Sequence, residues 1–139
     1  MTRRELRENT FILLFHREFH VTEDMEEQFN LYMEEYSDLQ TEAFNNISSK
    51  DREFIHNRLF DIMPRLSEID EALNSVSEGW STGRMGRVDL TILRLAYYEI
   101  KYDKDVPDAV AINEAVELAK KFGGETSPAF VNGILAKVV

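Results

Sequence analysis

Apolar residues recur along this chain at intervals of three and four, the period of a helix face. Thr2 followed by Glu5 reads as a capping box that opens a first helix running to about residue 19. Leu6, Phe11, Leu13, Leu14 and Phe15 cover much of its circumference, so it is expected to be largely buried beyond its first turn. A second helix is predicted after Thr22. There Met25, Phe29, Tyr32, Met33 and Tyr36 define one face, with glutamates on the other. A third region begins near Ser48 or Ser49. Its seam of Ile55, Leu59, Ile62, Leu66, Ile69 and Leu73 is interrupted by Pro64, which predicts a kink or break.

Residues 75–86 carry Gly79, Gly83 and Gly86 among serines, and are predicted to join an N-terminal part (1–78) to a C-terminal part (79–139). Trp80 within them is expected to anchor the connection to the core. Further helices are predicted over residues 88–102 and 109–122. The second of these stops at Gly123-Gly124, where glycine suits a left-handed C-terminal position. The last helix starts with Ser127 as N-cap and Pro128 at its first position, and carries Phe130, Val131, Ile134, Leu135 and Val138. No internal repeat is evident, and the class predicted is all-α, with about six or seven helices.

A length of 139 residues suits one compact domain or two small bundles sharing a core, and 43% hydrophobic residues can fill it. No apolar stretch approaches the roughly 20 residues that span a bilayer. The N-terminus, with Arg3, Arg4 and Arg7 interleaved with Glu5 and Glu8, does not resemble a signal peptide. There are no cysteines, which excludes disulfides and thiolate chemistry. The expected location is the cytoplasm. A net charge of −10 argues against a generic nucleic-acid binder. Its distribution changes that picture. Residues 23–42 hold eight acids (Glu23, Asp24, Glu26, Glu27, Glu34, Glu35, Asp38 and Glu42) and no base. Residues 1–17 hold four arginines against two glutamates, a local +2.

No set of residues assembles a catalytic site, and no cofactor is implied. His16 and His20 stand at a chelating spacing, but the glutamate of the metalloprotease motif is missing, and two solvated histidines at a helix end are the preferred reading. His56 reads as a partly buried structural residue. The glycines match no phosphate loop, and the acids of residues 23–42 lack calcium-loop spacing. The arginines differ. Cations in the first turns of a helix oppose its macrodipole, by roughly 0.3–1 kcal/mol each when exposed. Phosphate is the natural partner for charges kept at that cost. Ordinary surface, with Glu5 and Glu8 offsetting them, stands level with it on composition alone. By spacing alone, Phe15 and Phe130 are core residues rather than stacking platforms.

The run Leu93-Arg94-Leu95-Ala96-Tyr97-Tyr98-Glu99-Ile100, then Asp105-Val106-Pro107, then Val110 through Lys120, resembles the NusB transcription-antitermination family. So do Phe122-Gly123, Ser127 and Phe130-Val131-Asn132-Gly133-Ile134-Leu135, in the family's order and spacing. Arg3-Arg4-Glu5-Leu6-Arg7-Glu8 is similar to its arginine-rich first helix, and residues 20–80 match in pattern only. The resemblance implies two packed helical subdomains and no enzymatic activity. It implies binding to boxA RNA of ribosomal-RNA leader transcripts, together with the ribosomal protein NusE, in an assembly on RNA polymerase that suppresses premature termination.

By the same resemblance, Arg3, Arg4 and Arg7 would contact phosphates, and the acidic face would orient the RNA by repulsion. Phe15 and Phe130 would lie near bases. Lys120 and Lys121 would add phosphate contacts, and Asp89 would face NusE. Asn113 and Glu114 would be structural. The sequence departs from the family where Glu5 replaces an arginine of some members and Phe15 a tyrosine, which leaves stacking but no hydroxyl. Heavy dependence on NusE for RNA binding is therefore expected. Two rivals remain. One is the RNA-binding module of an RNA methyltransferase, although no methyltransferase domain is expected here. The other is a helical adaptor or homodimer without RNA.

Overall fold

The computed structural model describes the backbone of residues 1–39 and 47–139 and the side chains of all of these except 36–39. Tyr36 of the predicted second face, and the acids Asp38 and Glu42, thus lie outside the described side chains. Seven α-helices and no strand occur among the described residues: α1 (Arg3–His16), α2 (Met25–Leu39), α3 (Ser49–Ile62), α4 (Leu66–Val76), α5 (Arg87–Tyr102), α6 (Asp108–Phe122) and α7 (Ser127–Val138). The protein is all-α, as its periodicity predicts.

Packing divides the chain into two units, Met1–Asp61 and Ile62–Val139. The division therefore falls upstream of the glycines, near Pro64. This proline sits in a short 3-10 turn, Met63–Arg65, that ends α3. The helix after the turn, α4, packs on α5 and α7 and so joins the second unit.

In the first unit the capping box forms: the Thr2 hydroxyl accepts from the Glu5 N–H at 3.1 Å, and Glu5 Oε1 accepts from the Thr2 N–H at 2.9 Å. Phe11, Leu13 and Leu14 of α1 are buried with Met25, Phe29 and Met33 of α2 and Ile55 and Leu59 of α3. Burying each such side chain stabilises by roughly 1.5–3 kcal/mol. Polar links fix the register between helices. Asn9 donates to the Glu5 carbonyl at 2.8 Å and accepts from the Tyr32 hydroxyl. Between α2 and α3, Arg52 donates to Asn30 at 2.6 Å and lies over the Phe29 ring. His56, half-buried as expected, meets Glu26 at 2.6 Å and stacks on Phe60.

The second unit is organised around α5. Leu90 to Ala96 are buried without a break, polar Thr91 and Arg94 included, and so are Tyr98 and Glu99. Such a helix must be covered on several sides, and α4, α6 and α7 all pack on it. Arg94 forms a bidentate pair with Asp70 of α4, at 2.8 Å and 2.7 Å. Two boundary expectations are corrected here. Ser127 is the first helical residue of α7 rather than its cap, and its hydroxyl accepts from the Gly124 N–H at 3.0 Å. Gly123 has φ −93°, so no left-handed conformation requires it. Space does: a Cβ there would stand 2.6 Å from the Ser127 side chain and 2.8 Å from the Ala119 carbonyl oxygen. Among the described residues, the one glycine with positive φ is Gly79, at +78°.

His16, expected to be solvated, is half-buried with its ring edge-on to Tyr32. Burial, and then the charge of His20, lowers its pKa against an opposing pull from Glu35. An unfolded histidine titrates near about 6.5, so below that pH the unfolded chain takes up a proton that the folded chain resists. Thermal stability is expected to fall as pH drops through that value, and His16→Gln to flatten the dependence in melts from pH 7.5 to 5.5. Asp70→Ala, which removes the bidentate partner of the buried Arg94 guanidinium, is expected to cost about 2–3 kcal/mol in urea unfolding, somewhat below a fully buried pair because Asp70 is partly exposed.

Candidate nucleic-acid interface

The N-terminal turns of α1 present Arg3 and Arg4 in solvent and Arg7 half-buried. Arg3 and Arg7 are one turn apart on one side of the helix. Glu5, between them in sequence, is engaged elsewhere. Its carboxylate closes the capping box, and the Thr2 backbone and hydroxyl bonds hold its pKa below the usual carboxylate range. It therefore stays ionised and favours the helix N-terminus, offsetting part of the cost of the three cations. The arrangement can take phosphate oxygens along one stretch of backbone.

Phe15 lies eight residues beyond Arg7, about 12 Å along the helix axis. It is half-buried in a ladder of rings, stacked on Phe11 with centroids 6.3 Å apart and edge-on to Phe19 at 5.3 Å. Exposure rises along this ladder from 3% at Phe11 to 66% at Phe19. Phe15 is thus as much a packing residue as a surface one, and Phe19 is the ring most open to a partner. The acids of α2 that the structure describes, Glu26, Glu27, Glu34 and Glu35, are exposed.

In the second unit Phe130, half-buried in the first turn of α7, meets Trp80 edge-to-face with centroids 5.6 Å apart. Trp80 does not anchor the connection to the core, because half of its surface is exposed. That segment is held instead by buried Thr82 and Met85. Lys120 and Lys121 are exposed at the end of α6. Lys120 pairs with Glu117 at 3.3 Å, and Lys121 lies over the Phe122 ring. Residues 122–126 separate this lysine pair from the start of α7. Asp89 is half-buried in the first turn of α5, where a carboxylate suits the helix dipole. Asn113 is exposed and Glu114 half-buried on α6.

Phe19 and Trp80 escape a reading by periodicity for one reason. Each lies in a short 3-10 or turn segment, where the helix-face rule assigns no inside or outside. The signal that remains is a large aromatic outside any helical stripe. In Trp80's case it is also the sole tryptophan of the chain, next to a glycine. Among the described residues no group of three or more histidine or carboxylate side chains is placed to hold a metal ion. No described helix is long and apolar enough to cross a membrane.

Comparison with known proteins finds relatives along the whole chain. The transcription antitermination protein NusB of Lachnoclostridium phytofermentans is 48% identical over 139 residues, covering 100% of this chain and 99% of that one. The structure of T. maritima NusB superimposes with a TM-score of 0.82 at 36% identity, over 99% of this chain and 90% of that one. The fold is shared at 24% identity with a structure of antitermination factors NusB and NusE in complex with dsRNA, with a TM-score of 0.79 over 98% of this chain and 94% of that one. The family model described as NusB family matches residues 4–139. The chain belongs to the NusB family.

Proposed function

We propose that this chain is a transcription antitermination factor that binds boxA RNA of ribosomal-RNA leader transcripts together with the ribosomal protein NusE. In this reading it joins an assembly on RNA polymerase that suppresses premature termination, and it acts in the cytoplasm by binding, without catalysing a reaction. The observation that carries the reading is the basic start of α1, three arginines within two turns on a chain of net charge −10. Relatives with nearly full-length matches bear the antitermination name, and a protein of this fold has been crystallised with NusE and dsRNA. Arg3, Arg4 and Arg7 contact phosphates, with Lys120 and Lys121 adding charge. Phe15 and Phe130 lie near bases, and Asp89 faces NusE. The exposed glutamates of α2 repel the RNA and keep it on the basic side.

A second reading, a helical adaptor or homodimer without RNA, draws on the exposed Phe19, Val21 and Leu31 of the first unit. Ternary binding of the chain, NusE and boxA RNA across a salt series separates the two. Binding to RNA alone is expected to be weak and salt-sensitive, and much tighter once NusE is added. Replacing Arg3, Arg4 and Arg7 together with alanine is expected to weaken binding at least tenfold. It should also reduce the slope of log affinity against log salt by about 2, at roughly 0.7 per phosphate contact on a single strand. No binding to boxA or scrambled RNA, even with NusE present, would leave the adaptor reading. Tight, salt-insensitive binding to RNA without NusE would sink the dependence on the partner.

A further inference from the structure

Trp80 is the largest exposed apolar side chain of the second unit, and neither the arginine tip nor the core accounts for its position. The segment that carries it is held at both ends. The Ser77 hydroxyl donates to the Leu73 carbonyl at 2.6 Å, and the Trp80 N–H donates to the Ser77 carbonyl at 2.9 Å, closing a turn through Gly79. At φ +78°, Gly79 adopts a conformation that a side chain would strain. Beyond Trp80, the Thr82 N–H donates to Asn74 at 2.7 Å, and Thr82 and Met85 are buried. Burial on one side and a forced turn on the other leave the indole half in solvent. A large aromatic ring held in this position offers a stacking face to a partner.

The chemistry of that partner is indicated by the neighbouring ring and the local charge. Trp80 and Phe130 meet edge-to-face at 75° between ring planes. Such a contact uses one ring's edge and the other's face, so each ring keeps at least one face clear of the other. Residues 79–88 carry Arg84 and Arg87, both exposed, and no acid, on a chain whose net charge is −10. Glu78 and Asp89 bracket the stretch, and Glu78 is engaged by Lys137 at 3.7 Å. A held aromatic face with arginines four and seven residues further along the chain is a combination suited to single-stranded nucleic acid, base on ring and phosphate on guanidinium. A basic protein segment would meet the same arginines as repulsion.

We propose that Trp80, with Phe130 at its side, is a stacking platform for an unpaired RNA base, and that Arg84 and Arg87 hold the adjoining phosphates. This deepens the RNA-binding reading above and rests on it. Because Trp80 is the sole tryptophan, replacing it biosynthetically with 5-fluorotryptophan yields a single fluorine resonance from the full chain. The probes are a single-stranded boxA RNA oligonucleotide and unlabelled NusE.

The resonance is expected to move saturably on adding RNA, with the same midpoint as binding. Trp80→Ala is expected to weaken RNA binding about tenfold, and Trp80→Phe to recover most of that loss. The salt slope is expected to stay unchanged in both variants, since stacking releases no counterions. RNA binding with the resonance unmoved and Trp80→Ala at full affinity would overturn the proposal. So would a resonance that moves fully with NusE alone, paired with a Trp80→Ala variant that loses NusE affinity and keeps RNA affinity; that outcome assigns the ring to a protein contact. An unsubstituted chain that binds no RNA, with or without NusE, removes the RNA reading itself and this proposal with it.

Discussion

The second unit depends on the burial of one helix. From Leu90 to Ala96 α5 has no solvent side, so it cannot be stable without α4, α6 and α7 around it. Its one deeply placed cation, Arg94, would be prohibitive without a partner, and Asp70 supplies two oxygens in matching geometry. The pair ties α4 to α5 at a single register. It explains why α4 belongs to the second unit although the glycines lie after it in sequence. An apolar residue in place of Arg94 could fill the space but would not select Asp70. The cost of burying the charge is offset by specificity of packing.

The start of α1 shows a different balance. Three arginines in the first two turns oppose the helix dipole, and the structure offsets them with the ionised Glu5, held by Thr2 in the capping box. Glu5 thus helps keep the helix end formed while Arg3 and Arg4 stay in solvent. The glutamates of α2, which carries no base among Met25–Leu39, set an acidic helix against the arginine-rich start of α1.

The aromatic residues divide by their surroundings rather than by type. Phe11 is core, Phe15 is shared between core and surface, and Phe19 is exposed, all at a spacing of four residues. In the second unit the only tryptophan stands outside, against a half-buried phenylalanine. An aromatic stripe read from spacing alone looks like core. The exposure gradient along it separates packing from a surface that can meet a ligand.

Local patterns along the chain set the helical class, the cap at Thr2, a helix start near Ser48 or Ser49, the break at Pro64 and the clustering of arginines at the N-terminus. Each of these follows from local rules of periodicity, capping or proline chemistry that no distant contact overrides. The family resemblance was carried by residues such as Leu95, Ala115, Val131 and Leu135, which are buried and specify the core. Tertiary structure decided what local rules leave open. It drew the unit boundary before α4, because Arg94 and its neighbours recruit that helix from far along the chain. It gave Gly123 a steric role in place of a conformational one, because Ser127 returns against it. It half-buried His16 and turned Trp80 outward. Whether a ring or an imidazole ends inside or outside depends on which helix arrives to cover it, and no spacing along one helix records that.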